Sequence, residues 1–335
     1  MVFAASTVLW CVMAAGAGDA ELLRLVDKAI DRARRIELRT DEVTPWVVMH
    51  ATIPFGRGAE VYEVSRKQRV NAVQWLLESA TFEGQRIFHP VPGGLGSWAP
   101  PGKKEAVQGH RDQYLAKLGR AGVRRDEKIL LPDGSFTVAD LVSAAKRNVR
   151  PEYEASWTLT ALLIYEGFDA KWKNADGEDY DIPRLVRTEV SVDPNLRGCG
   201  GTHNIFALAD TLSRRRSANL PITGVYQEAQ EKVERYVRMA AEWQGDAGDY
   251  SAGFFARNVR PRDDHELIHS TGHTLEVMAQ AATDAQLHDE KLQRAVRLTA
   301  QRLLAVMETG KDVRLGALFH AVDGLVIYRQ RLTRR

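Results

Sequence analysis

Two short segments of the sequence combine residue types that could do chemistry. The first is Arg197-Gly-Cys-Gly-Gly-Thr-His203, in which a thiol and an imidazole lie four residues apart. Both groups bind transition metals, and an imidazole also exchanges protons near neutral pH. Glycines let a backbone approach a ligand closely, and a helix that begins after them offers amide groups to an anion. We therefore expect a ligand-binding loop made of Arg197, Cys199, Gly200, Gly201 and Thr202. The alternative is a tight turn that leads to a core histidine.

The second segment, HELIHSTGHTLE, contains His269, His273 and Glu276. His203 and His273 are candidates for general acid and base, and Glu276, one helical turn after His273, is a candidate to orient its ring. His269 and His273 have the spacing of metal ligands on one helix, but the Ser-Thr-Gly run between them predicts that the helix begins there. The metal alternative is therefore a zinc site made from Cys199, His203 and His273.

A further catalytic candidate, Tyr250, lies in a segment rich in Gly and Asp, which predicts an exposed loop. A tyrosine in such a loop can protonate a leaving group or stack on a sugar ring.

Two kinds of helical segment alternate along the chain and must position these residues. The first kind is amphipathic and covers residues 22–36, 70–80, 137–149, 181–192, 225–243 and 289–307. The second kind is apolar nearly all round and therefore buried, and covers residues 45–55, 110–118, 156–165, 202–212, 271–281 and 317–328. Strict alternation of half-exposed and buried helices predicts an all-α fold, an (α/α)6 toroid of six helical hairpins. An open helical array is the alternative.

A weak repeat runs through the six buried segments. Positions 46 to 70 residues apart, each followed five residues later by an apolar residue, carry His50, His110, Trp157, His203, His273 and His320. Such self-similarity marks a repeated supersecondary unit. We expect these side chains, together with Glu154, to line a shared central cavity and to bind its ligand.

The predicted architecture resembles the α/α toroids of the terpenoid-cyclase and protein-prenyltransferase superfamily. Gln244-x-x-x-Gly248-x-Tyr250 resembles the Gln-Trp motif of that superfamily, with Tyr in place of Trp. The segments CGGTH and TGHTLE are similar to those of uncharacterised bacterial secreted proteins. The chain has neither the Asp-x-Asp-Asp acid of the cyclases nor the Cys-His-Gly zinc segment of lanthionine cyclases, so the resemblance implies a fold but no activity. Exported α/α toroids often process carbohydrates with His, Tyr and carboxylate residues, which suggests that chemistry here.

Composition and the amino terminus narrow the class of protein. The chain has 335 residues, of which 44% are hydrophobic and 27% charged, and its net charge of +2 comes with no basic stripe for nucleic acid. Residues 1–17 carry no charge and end in Ala-Gly-Ala, which predicts a signal peptide too short to span a membrane. A buried first helix is the alternative. Residues 18–335 would then form one secreted or periplasmic domain, whose single cysteine, Cys199, excludes an intrachain disulfide.

Together these observations predict an exported toroid that binds or processes a carbohydrate-like polar ligand, a small molecule or a polysaccharide. The chemistry would be histidine acid–base catalysis without a cofactor. A non-catalytic binding or scaffold protein is one alternative, and a zinc-dependent enzyme centred on Cys199, His203 and His273 is another. Neither nucleic acid nor a membrane span is expected, and the sequence indicates no oligomeric state.

Overall fold

The computed structural model describes residues 5–97 and 102–334, which are mostly helical. Side chains are described except at residues 5–17, 104 and 105. Over these ranges the helices are α1 (Ala5–Arg34), α2 (Pro45–Phe55), α3 (Ala72–Glu78), α4 (Lys104–Val107), α5 (Gln113–Arg120), α6 (Val138–Asn148), α7 (Ser156–Tyr165), α8 (Ile182–Ser191), α9 (Thr202–Ser217), α10 (Val225–Glu242), α11 (Asp264–Ala281), α12 (Glu290–Thr309) and α13 (Leu315–Thr333). The helical class predicted from the periodicity is confirmed.

Short antiparallel hairpins, which the sequence pattern did not predict, connect some of these helices. They pair β1 (Glu60–Glu63) with β2 (Gln68–Asn71), β3 (Thr81–Phe82) with β4 (Gln85–Arg86), β5 (Phe88–Val91) with β6 (Gly94–Ser97), β7 (Lys128–Leu131) with β8 (Gly134–Thr137), and β9 (Lys171–Lys173) with β10 (Asp179–Asp181). Strands this short give no alternating pattern that stands out from the sequence. Their turns are recognisable, however, since Pro132 and Asp133 form the two-residue connection between β7 and β8.

Six helices of the described chain are buried on most sides and contact one another in series. Helix α2 contacts α5, α5 contacts α7, α7 contacts α9, α9 contacts α11, α11 contacts α13, and α13 contacts α2. They arise from the apolar segments, and α2 and α7 begin and end at the predicted residues. The amphipathic helices α1, α3, α6, α8, α10 and α12 each pack against members of this series. Their apolar stripes therefore cover the buried helices.

Helix α11 begins earlier than the sequence predicted. The expected start was Thr271, but the helix starts at Asp264 and is capped by the side chain of Asp263, which accepts a backbone N–H. This Asp-Asp pair is the stronger start signal, because a carboxylate at the cap satisfies a free amide and suits the helix dipole. The two additional turns place His269 and His273 on one face of a continuous helix.

Helix α1 runs through the predicted cleavage point after Ala17, and residues 1–4 lie outside the described chain. Beyond that point its apolar stripe is buried at Leu22, Val26, Ala29 and Ala33. A chain cleaved after Ala17 would keep this buried stripe, so the packing of α1 is compatible with cleavage and does not test it. The signal peptide therefore stays a prediction. Among the described residues, no helix has both the length and the apolar character to cross a membrane.

Candidate histidine and cysteine site

The leading parts of the buried helices bring their aromatic side chains into one cluster, which we call the histidine cluster. The ring centroids lie 5.1 Å apart for His50 and His320, 4.0 Å for His273 and His320, 5.5 Å for His203 and His320, 4.6 Å for His110 and His203, and 4.8 Å for Trp157 and His203. The side chains aligned by the sequence repeat thus meet, with His203 at the middle.

Four of these imidazole rings are held by a hydrogen bond at Nδ1. The distances are 2.6 Å from His50 to Trp46 O, 2.8 Å from His110 to Glu154 Oε2, 2.8 Å from His273 to His269 O, and 2.7 Å from His320 to Glu276 Oε2. A neutral imidazole that donates from Nδ1 keeps Nε2 free to accept a proton or to bind a metal. The structure differs here from the predicted partnership. Glu276 bonds to His320 on the neighbouring helix, and a backbone carbonyl orients His273.

His203 differs from its neighbours because it makes no hydrogen bond. Its side chain is 3% exposed, and neither ring nitrogen has a partner among the described residues. A buried polar atom without a partner costs about 1–3 kcal/mol. A group bound against His203 would therefore recover free energy that the protein alone does not.

Burial keeps four imidazoles of the cluster neutral at neutral pH. It lowers the pKa of four rings well below the usual value, namely His50, His203, His273 and His320. Nearby positive charges add to this effect. The pKa of His269 falls to about 4, again chiefly through burial. Such an imidazole can accept a proton or bind a metal, but at neutral pH it holds no proton to give as an imidazolium. His203 and His273 therefore fit the predicted base role better than the acid role.

The glycine loop before α9 is shaped by packing. Gly200 and Gly201 have φ angles of 59° and 77°, and a Cβ at either position would lie within 2.3 Å of protein atoms. Thr202 Oγ1 donates to Cys199 O at 2.9 Å and closes the turn. The glycines permit a close approach to other parts of the protein, since Gly200 lies against Phe254 and Gly201 against Pro194. The tight-turn alternative therefore describes Gly200, Gly201 and Thr202 better than direct ligand binding does.

Cys199 links this loop to the histidine cluster. Its half-buried side chain is a thiol that forms no disulfide. In the described chain, three sets of side chains have ligand atoms that all lie within 4.8 Å of one another: His110, Cys199 and His203; Cys199, His269 and His273; and His203, His273 and His320. The predicted zinc ligands are divided among these sets. His269 is an additional candidate, which sequence reasoning missed because it placed the start of the helix after this residue.

Two predicted site residues are not among the side chains whose rings or ligand atoms meet in the cluster. Tyr250 is 1% exposed, so the expectation of an exposed loop is wrong. Burial, with a contribution from the charge of Asp289 beside α12, raises the pKa of its hydroxyl, which makes proton donation harder. The charge of Arg197 acts on Lys232 of α10. Tyr250 packs as a core residue because Gly248 lets its loop lie directly on the backbone of α12.

A charged layer that sequence reasoning missed adjoins the cluster. Lys117 is fully buried, and its Nζ lies 4.0 Å from the Trp157 ring centroid and has no hydrogen-bond partner in the described structure. Burial lowers the pKa of Lys117 to about 7. The charge of Asp323 acts on Glu276, and Asp323 pairs with Arg120 at 2.6 Å. The available signal was a lysine inside an otherwise apolar segment.

A surface groove of about 500 Å³ reaches the cluster at His110 and Glu154. Both side chains are half-buried, and Glu154 Oε1 has no partner among the described atoms. The polar residues that line the groove beside this pair are His89, Ser97, Gln108, Arg111, Asp112 and Asn148. The groove therefore joins solvent to the histidine cluster through His110.

The fold and the site define a mostly helical protein with a buried histidine cluster at the end of a polar groove. No protein-family model, curated protein sequence or solved structure matches the chain.

Proposed function

We propose that the chain is an exported, closed (α/α)6 toroid that binds a carbohydrate-like ligand in the groove and acts on it by proton transfer. The serial contacts of the buried helices, closed by α13 against α2, support the ring. All six also line one cavity of about 790 Å³ at their carboxyl ends, as parallel helices around a common axis would. In the chain, each histidine-cluster residue precedes the cavity-lining residues of its own segment, so the two ends of the ring differ in chemistry.

The Gln-Trp-like segment also supports a toroid. Gln244 Nε2 donates to Lys291 O at 2.9 Å, at the start of α12. A Cβ on Gly248 would lie 2.6 Å from the backbone of Arg294. The segment therefore joins the end of α10 to the next amphipathic helix, as a connector between adjacent hairpins would.

The observation that carries the proposed activity is the pair formed by His110 and Glu154. Its Nδ1–Oε2 distance is 2.8 Å, and it lies where the groove meets the cluster. His110 is the cluster histidine that lines the groove, and its carboxylate partner orients its ring toward a ligand there, whereas the deeper histidines are held neutral. The acid–base role thus falls to His110, with His203 behind it at a ring distance of 4.6 Å.

The groove side chains suit a polyhydroxylated ligand. Gln108, Asp112 and Asn148 present amide and carboxylate groups around His110. Each sugar hydroxyl both donates and accepts a hydrogen bond, so it can satisfy donors and acceptors that lie side by side.

Calorimetry with neutral, amino and uronic-acid oligosaccharides tests this proposal, with new reducing ends as the readout of cleavage. We expect one class to bind, with an affinity at least about tenfold weaker in His110→Ala and Glu154→Gln, as the loss of a charged hydrogen bond implies. His288→Ala, at an exposed histidine that pairs with Asp19, is the matched control and should bind normally. Failure of every class to bind, or equal binding by all variants, would contradict the proposal. Binding without new reducing ends would favour the scaffold alternative.

A further inference from the structure

We propose that Cys199, His269 and His273, with His203 as the fourth ligand, bind one borderline divalent metal ion such as Zn²⁺. This site differs from the zinc site expected from the sequence, because it includes His269 and depends on the early start of α11. It lies beside the groove pair His110–Glu154 and does not use it.

The first argument is the placement of three ligand groups. Cys199, His269 and His273 offer one atom each within 4.8 Å of the other two. In a tetrahedral site with bonds of about 2.0–2.3 Å, the ligand atoms lie about 3.3–3.8 Å apart. Small rotations of the half-buried Cys199 and His269 side chains close that difference. His269 and His273 are one turn apart on α11, and their ring centroids are separated by 4.9 Å, so the helix itself fixes this pair.

The second argument is His203, which stands in contact with the same group. It has a ligand atom within 4.8 Å of that of Cys199 in one set of side chains, and of that of His273 in another. Its ring centroid is 5.6 Å from that of His273. Both of its nitrogens are buried without a partner among the described residues. Helix α9 thus presents an imidazole whose hydrogen-bonding capacity the protein does not use. A metal ion would satisfy it.

The third argument is the orientation of His273. Its Nδ1 is 2.8 Å from His269 O, which directs Nε2 away from the backbone of its own helix. Histidine ligands commonly have this arrangement, in which the second nitrogen donates to a carbonyl or a carboxylate and fixes the ring.

The donor set determines the class of ion. One thiolate and three imidazoles are soft to borderline ligands, which favour Zn²⁺, Co²⁺ or Cu over Mg²⁺ and Ca²⁺. The turn at Cys199 is closed by Thr202 Oγ1, which donates to the Cys199 carbonyl at 2.9 Å and fixes the backbone from which the sulfur extends.

The test is metal binding by the full chain after dialysis against a chelator. We expect one equivalent of Zn²⁺ in competition with a chromophoric chelator, and one equivalent of Co²⁺ with the near-ultraviolet thiolate-to-metal band of a cysteine ligand. His269→Ala should weaken Zn²⁺ binding by at least about 100-fold, because it removes one of the four bonds between the metal and the protein. Cys199→Ser should abolish the thiolate band. His288→Ala, which removes an exposed histidine far from the cluster in sequence, should leave both readouts unchanged.

His269 is the primary variant because it is only half-buried and its removal leaves the core packed, as far-ultraviolet circular dichroism can verify. A wild-type chain without stoichiometric Zn²⁺, or a Co²⁺ complex without the thiolate band, would overturn the site. The site would also be overturned if His269→Ala bound Zn²⁺ as tightly as His288→Ala does. The groove is tested separately, because His110→Ala should impair oligosaccharide binding and keep the metal.

Discussion

The Nδ1 atom of His320 lies 2.7 Å from Glu276 Oε2, and this bond joins α13 to α11 between two buried helices. The Glu276 and His320 side chains are only 5% and 3% exposed. Burial, together with the adjacent carboxylate of Asp323, raises the pKa of Glu276 well above its ordinary value, although Lys117 and Arg120 act in the opposite direction. The bond therefore joins a neutral imidazole to a carboxyl group that holds its proton at higher pH than an exposed glutamate does.

Glu276→Gln should consequently change the pH dependence of stability. A raised pKa means that the folded protein keeps a proton that the unfolded chain releases above pH of about 4.5. Stability from this group is thus complete below that pH and is lost as pH rises toward the folded-state pKa. We expect wild-type stability to fall relative to Glu276→Gln between pH 5 and about 8, as measured by urea unfolding in the presence of a chelator.

Glu276→Ala provides the contrasting variant. It leaves His320 Nδ1 without an acceptor and opens a cavity, and should lose about 2–4 kcal/mol at every pH in that range. Parallel stability curves for the wild type and Glu276→Gln would show that Glu276 titrates normally.

The approach of α11 to α13 should be intolerant of one methyl group. A Cβ on Gly272 would lie 2.6 Å from Ala321 Cβ and 2.8 Å from its Cα. Gly272→Ala must therefore push the helices apart, and we expect a loss of about 1–3 kcal/mol in the free energy of unfolding. Gly18→Ala is the control, because a Cβ there meets nothing within 4 Å, and alanine favours a helix by up to about 1 kcal/mol over glycine. Equal stabilities for the two variants would contradict the close packing.

The same glycine illustrates what sequence reasoning could and could not provide. The alternation of segments located the buried helices, because six segments are apolar nearly all round, and α2 begins and ends where expected. Gly272 looked like a helix start because local rules score it as a helix breaker. Its reason for being there is the contact with Ala321, which is distant in the sequence. Packing overrode this local propensity, and for that reason the sequence did not place His269 on one helical face with His273.

Two further differences arise from long-range contacts. Glu276 was assigned to His273 because both lie on one helix, whereas its actual partner comes from α13. Tyr250 was assigned to an exposed loop from its Gly- and Asp-rich surroundings, yet that composition is what lets the loop fold down onto α12. The convergence of the histidines was predictable from the repeat, since they occupy equivalent positions in the buried segments. The sequence did not indicate which of these histidines contact one another.

Lys117 offers a pH effect of the opposite sign. Burial lowers its pKa from 10.5 to about 7, so between these values the unfolded chain holds a proton that the folded protein lacks. Stability from this group therefore rises with pH across that window, and below pH of about 7 the folded protein must bury the full charge. Lys117→Met removes the charge at similar length but also loses the contact with the Trp157 ring, which is worth about 0.5–2 kcal/mol.

At pH of about 6 we expect Lys117→Met to be more stable than the wild type by about 2 kcal/mol or more, since each pKa unit corresponds to about 1.4 kcal/mol. The difference should shrink as pH approaches about 9.5, because there the folded wild type carries an uncharged amine. Urea unfolding at a series of pH values, with a chelator present, measures the difference. Lys128→Met, at an exposed position on β7, should show no such trend. If the stability difference for Lys117→Met is the same at both ends of the range, Lys117 keeps its proton in the folded protein, and the charge must be stabilised by the Trp157 ring and Glu276.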